Sequence, residues 1–115
     1  MLHSILIVED ELDQLDALSE ILELAGYSTR RAQNGREALD LLRTPPLPSI
    51  ILLDLKMPVM NGWQFLVKKL NDSALVKVPV VVMSAAVTPR PQGAAAFIQK
   101  PISAPALLNV VGTYC

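Results

Sequence analysis

Short unbroken apolar runs and longer, spaced apolar ladders alternate along the chain. Residues 5–8 are continuously apolar and rich in β-branched side chains, the pattern of a strand buried on both faces. Leu12, Leu15, Leu18, Ile21, Leu22 and Ala25 then recur at i, i+3, i+4 spacing and stop at Gly26. That predicts an amphipathic helix closed by a glycine. Residues 27–32 are strand-like but polar, as expected at a sheet edge. Asn34 and Glu37 have capping-box spacing ahead of Ala38, Leu39 and Leu42, and the prolines within 44–48 stop that second helix. Residues 50–53 predict a third strand, and Trp63, Leu66, Val67 and Leu70 mark a third helix, with Trp63 and Phe65 as packing residues. Residues 78–83 predict a fourth strand, with Pro79 tolerated at its start. Residues 95–98 predict a short last strand and 106–111 a short last helix.

Strands alternating with helices point to an α/β fold with a parallel sheet covered on both faces. Right-handed crossovers reduce the topologies to a doubly wound, flavodoxin-like three-layer sandwich, best satisfied by five strands in the order 2-1-3-4-5. Ligands in such sheets bind at the carboxyl ends of the strands where the winding reverses, here strands one and three. With no repeats and no linker composition, residues 1–115 are expected to form a single domain.

Bulk composition removes several function classes. Ten Lys and Arg stand against 11 Asp and Glu, a formal net charge of −1, so the basic excess of a nucleic-acid binder is missing. No apolar run approaches the ~18 residues of a membrane span, and the N-terminus lacks the basic region of a signal peptide. Cys115 is the one cysteine and cannot form an intrachain disulfide. A soluble, cytoplasmic protein with no direct nucleic-acid or membrane partner is expected. His3, the one histidine, has no ligand or phosphodonor company in the sequence.

The chemistry gathers at the predicted strand ends. Strand one ends in Glu9 and Asp10, strand three in Asp54, strand four in Ser84, and strand five in Lys100 and Pro101. Crowded carboxylates repel and have raised pKa values unless a cation answers them. An all-oxygen set without His or Cys favours Mg²⁺ (or Mn²⁺) over zinc or copper. Acids at strand ends also cap the helices that follow them, so any one acid alone is ambiguous. The hydroxyl and the lysine at two further strand ends favour a shared site.

Glu9-Asp10, the segment 52–62 centred on Asp54, Ser84-Ala85 and Lys100-Pro101 occur in one order and spacing. In that arrangement the chain resembles the response-regulator receiver domains of bacterial two-component signalling across nearly its whole length. The resemblance implies a phosphorylation-dependent switch rather than an enzyme, with Asp54 accepting a phosphoryl group from a sensor histidine kinase or a phosphotransfer protein. It implies that Asp10, Asp54 and the backbone carbonyl of Lys56 bind Mg²⁺, with Glu9 acting through a metal-bound water. Lys100 and Ser84 would contact the phosphoryl oxygens. Pro58 and Gly62 would shape the loop after Asp54, and the Lys100–Pro101 bond would be cis. Ser84 and Phe97 would form the switch pair, Phe97 standing where the family more often has tyrosine.

One departure from the family stands out. Only 16 positions separate Ser84 from Lys100, and 87–93 is rich in proline and glycine. A helix of about 11 residues with its loops does not fit there. The family's fourth helix is therefore expected to be missing or about one turn long. Since that helix belongs to the family's usual output and dimerisation face, a monomer or weak dimer is expected, and the downstream target is unidentified. A receiver-fold interaction module that no longer switches is the alternative. A phosphatase working through an aspartyl phosphate is disfavoured, because Lys56 stands two residues after Asp54 where such enzymes carry an aspartate.

Overall fold

The computed structural model describes residues 3–55, 60–85 and 93–115. Five strands, β1 (Ser4–Val8), β2 (Ser28–Ala32), β3 (Ile50–Asp54), β4 (Val80–Ser84) and β5 (Ala96–Gln99), form one parallel sheet in the order β2-β1-β3-β4-β5. Helices α1 (Leu12–Leu24), α2 (Gly35–Leu42), α3 (Gly62–Leu70) and α4 (Ala104–Tyr114) are the four among the described residues. The strand order is the one the sequence predicts.

Alternation along the central strands builds two separate cores. Leu6, Val8, Ile51, Leu53, Val80 and Val82 face α2 and α3, where they meet Ala38, Leu42, Phe65 and Leu66. Ile5, Ile7, Ile50, Leu52, Val81 and Met83 face α1 and α4, meeting Leu15, Leu18, Leu22, Leu107 and Val111. A strand apolar at every position can serve both layers, which is why 5–8 and 50–53 read as unbroken runs. β2 lies at the edge. Arg30 of β2 turns its guanidinium to the end of α2, donating to the carbonyls of Leu41 (3.1 Å) and Thr44 (3.4 Å). The Leu41 carbonyl also accepts from the Thr44 N–H (3.1 Å), so the strand adds a second donor at the helix end.

The helix ends follow local chemistry. Gly26 adopts φ +97° just after α1, the left-handed conformation a residue other than glycine rarely takes. Asn34 caps α2 by accepting from the Glu37 N–H (2.9 Å), while the Glu37 carboxylate reaches back to the Gln33 N–H (3.2 Å) rather than to that of Asn34. At α3, Asn61 and Gln64 form a complete capping box, a signal the sequence reading missed.

Two expectations are corrected. α3 is rotated relative to its apolar ladder: Phe65, Leu66 and Lys69 are buried, whereas Trp63 and Leu70 are each 41% exposed and Val67 59%. Phe65 packs as expected, but Trp63 does not. The Lys69 stem runs inward and its ammonium donates to the Val76 carbonyl (3.2 Å), so a lysine outside the ladder completes the buried face. Burial pushes the Lys69 ammonium below its ordinary pKa. The last helix is also longer than 106–111. Ser103 caps it through the Ala106 N–H, Pro105 sits in the first turn where its missing N–H costs nothing, and Gly112 lies within the last turn. None of the four helices lies between β4 and β5; residues 86–92, on which the short or missing fourth helix turns, lie outside the described residues.

Gly62 shows how tightly α3 meets the sheet. Its N–H donates to the Leu55 carbonyl (3.0 Å), and a β-carbon there would come within 2.7 Å of the Asp54 carbonyl oxygen and the Leu55 Cα. Backbone cannot yield as a side-chain tip does, so Gly62→Ala is expected to destabilise the fold by roughly 1–3 kcal/mol in urea unfolding. An unchanged midpoint would mean that α3 shifts freely.

Candidate functional site

Parallel pairing brings the strand ends to one edge. Asp54 is the last residue of β3 and pairs with Met83, and Ser84 is the last residue of β4 and pairs with Gln99. The Lys100 N–H donates to the Ser84 carbonyl (2.9 Å), tying the ends of β4 and β5 together. Glu9 follows β1 directly, held by its N–H to the Ala32 carbonyl (3.0 Å). The expected residues thus meet because each follows an apolar strand of a single parallel sheet.

Glu9, Asp10 and Asp54 each offer a carboxylate oxygen, and the three oxygens lie within 4.8 Å of one another. Glu9 is fully buried and Asp54 nearly so, while Asp10 is exposed. The Lys100 ammonium sits among them, 2.7 Å from Glu9 Oε1 and 3.6 Å from Asp54 Oδ2. It also donates to Gln14 Oε1 at 2.7 Å. The other Glu9 oxygen, Oε2, is buried and has no hydrogen-bond partner among the described residues. Burial, and then a shared hydrogen bond with Asp54, push the Glu9 carboxyl up to about 8, against the opposing pull of Lys100. Among the described residues one ammonium stands against three clustered acids, and the Glu9 Oε2 atom is the kind of atom a cation or its water would take. A hard divalent cation fits this donor set.

Ser84 is buried. Phe97 of β5 pairs with Val82 and packs on the α2–α3 core, partly exposed. By strand alternation Ser84 and Phe97 face the same side of the sheet. The Lys100–Pro101 bond is cis, as expected; a second cis bond, Pro45–Pro46, went unforeseen. Lys56 and Pro58 lie outside the described residues, so the carbonyl expected from Lys56 has no observed position. The His3 ring meets Ser49 Oγ (3.2 Å), at the opposite end of β1 from the acids.

Sequence reasoning missed Gln14, the one α1 side chain that reaches Lys100. Its carbonyl is 86 positions from Lys100 in the chain, and no spacing pattern links the two. An apolar hollow of about 470 Å³, lined by Ala17, Leu18, Ile21, Pro101 and Ile102, opens beside this pair.

Comparison with known proteins agrees with the geometry. Residues 5–112 match the family described as the response regulator receiver domain. The polar-differentiation response regulator DivK of Brucella anthropi is 33% identical over 120 residues, covering 99% of this chain and 97% of the relative. The chemotaxis response regulator CheY4 of Vibrio cholerae superposes with a TM-score of 0.91 at 26% identity, covering both chains completely. The signal receiver domain of a histidine kinase from Syntrophus aciditrophicus gives 0.86 at 32% identity, over 97% of this chain and 89% of that one. No helix among the described residues is long and apolar enough to cross a membrane.

The raised Glu9 pKa carries a sign. Its native value lies above its ordinary 4.5, so between 4.5 and about 8 the folded protein holds a proton the unfolded chain has lost. Stability from this group is complete below the lower value and is lost as pH rises through the upper one. In divalent-free buffer the melting midpoint should fall across that window, and Glu9→Gln should flatten the fall. A mutant with the wild-type slope would place the titration elsewhere.

Proposed function

Since the chain belongs to the response regulator receiver family, we propose that it is a phosphorylation-dependent switch that accepts a phosphoryl group on Asp54. The observation that carries this reading is the placement of Asp54 at the end of β3, close to two other carboxylate oxygens and 3.6 Å from an ammonium. A lone buried aspartate would have no use for such company. An acceptor that gathers a dianionic group needs it.

In this reading an Asp54 carboxylate oxygen forms a new bond to phosphorus while the P–N bond of a donor phosphohistidine breaks. The leaving imidazole keeps the electron pair and takes a proton from solvent. The donor is a sensor histidine kinase or a phosphotransfer protein, and the setting is cytoplasmic. Asp10, Asp54 and the Lys56 carbonyl would hold Mg²⁺, with Glu9 contributing through a water. When bound, the cation neutralises charge on the transferring oxygens. Lys100 supplies a second positive charge there, and the Ser84 hydroxyl a hydrogen bond. Ser84 drawn toward the phosphoryl group frees space for Phe97 on the same face of the sheet, which carries the signal outward. Phe97 has no hydroxyl, so this movement is read through packing alone.

Two measurements test the reading. Acetyl phosphate with Mg²⁺ should add one hydroxylamine-sensitive phosphate, visible by intact mass, and Asp54→Asn should abolish it. Labelling that persists in the mutant would remove Asp54 from the role. Titration with Mg²⁺ should quench Trp63, which stands in the first turn of α3 one residue from Gly62. An Asp10→Ala protein that quenches at the same concentration would remove Asp10 as a ligand.

A further inference from the structure

Gln14 occupies the third position of α1, three residues after the N-cap Glu11. A glutamine or glutamate there ordinarily turns back to the backbone N–H at the start of its own helix. In the other two helices with that spacing the side chain does turn back: Gln64 to the N–H of its cap Asn61 (3.0 Å), and Glu37 to the Gln33 N–H one residue before its cap (3.2 Å). Gln14 does not. Its side-chain carbonyl accepts from the Lys100 ammonium at 2.7 Å, and its amide donates to the Glu11 carboxylate at 2.9 Å. Glu11 makes no capping bond with its own side chain. The two contacts also fix which way the amide points. An ammonium can only donate and a carboxylate can only accept, so the flipped amide would lose both bonds.

An ammonium has three protons to donate. Glu9 Oε1 and Gln14 Oε1 take two, each at 2.7 Å, and the third oxygen within reach is Asp54 Oδ2 at 3.6 Å. With Glu9 alone, the flexible lysine stem could swing about one bond. With Gln14 as a second, neutral anchor, the ammonium is held beside the acceptor without adding a further negative charge to a crowded site. From this we infer that Gln14, oriented by Glu11, is a positioning residue that holds Lys100 ready for the incoming phosphoryl group. The inference rests on the phosphoacceptor reading above, but its geometry exists before any phosphoryl group arrives.

The test has one arm without phosphate or metal and one with both. In ¹⁵N-lysine-labelled protein the Lys100 Nζ–H signal should be sharp and protected from exchange, and in Gln14→Leu it should broaden or disappear. Leucine keeps the helix and the bulk, so an intact fold is expected; Glu11→Ala, which removes no capping bond, should weaken the same signal by freeing the amide. In the second arm, Gln14→Leu should slow labelling by acetyl phosphate about tenfold, the lower end of what supporting residues contribute. The Mg²⁺ concentration that half-quenches Trp63 should stay within about twofold, since Gln14 is not a metal ligand. A Lys100 signal unchanged in both variants, or labelling at the wild-type rate, overturns the role of Gln14. Absence of labelling in the wild-type protein would instead overturn the phosphoacceptor reading, and the Lys100 signal would still decide the position of Gln14.

Discussion

Two carboxylates, Glu9 and Asp54, are buried at the edge of an otherwise apolar sheet, and among the described residues a single ammonium faces both. Removing charged groups from water costs several kcal/mol each, and a partial pairing does not return all of it. The sheet bears this cost because its central strands β1, β3 and β4 are apolar along their length and bury both faces, giving the edge a rigid support. The α3 start pressed against Asp54 through Gly62 and the Lys100 N–H on the Ser84 carbonyl brace the same edge. The architecture and the charge crowding are therefore one problem and its solution. A site left short of positive charge binds cations readily, because each arrival relieves the deficit.

The layers on either side have separate duties. The α1–α4 layer carries Gln14 and borders the hollow next to Lys100, so the parts that orient the ammonium lie on that side. The α2–α3 layer packs against Phe97 and faces the side on which Ser84 lies. The Lys100–Gln14 contact and the Phe97 packing thus lie on opposite faces of one sheet, joined through the strand ends. Small displacements at the edge can bias packing on the far layer because close-packed interiors shift in discrete steps.

Much of this was legible in the sequence because its signals were strong and local. Unbroken runs such as 5–8 and 50–53 can hardly be anything but doubly buried strands, and the residue after each run must emerge at the same edge. That logic placed Glu9, Asp10, Asp54, Ser84 and Lys100 together. It failed where side-chain length let a residue contradict its chemical type. Lys69 carries a charge and so stood outside the apolar ladder, yet its stem runs inward and its ammonium finds the Val76 carbonyl. The face of α3 consequently turned away from Trp63, Val67 and Leu70. The extra turns of α4 were hidden because Pro105 and Gly112 read as stops, although proline in a first turn and glycine in a last one are both compatible with helix. Gln14 and Arg30 were invisible for another reason: each acts on a partner set by the tertiary fold, far beyond any sequence window.

The bond between Lys100 and Glu9 joins residues 91 positions apart. During synthesis the chain emerges from its N-terminus, so β1, β3 and their acids exist well before the lysine that answers them. Until β5 is made and docks beside β4, the nascent sheet holds an edge of uncompensated negative charge. The last strand therefore completes the sheet and the carboxylate–ammonium cluster in a single event, and a chain lacking it would have neither.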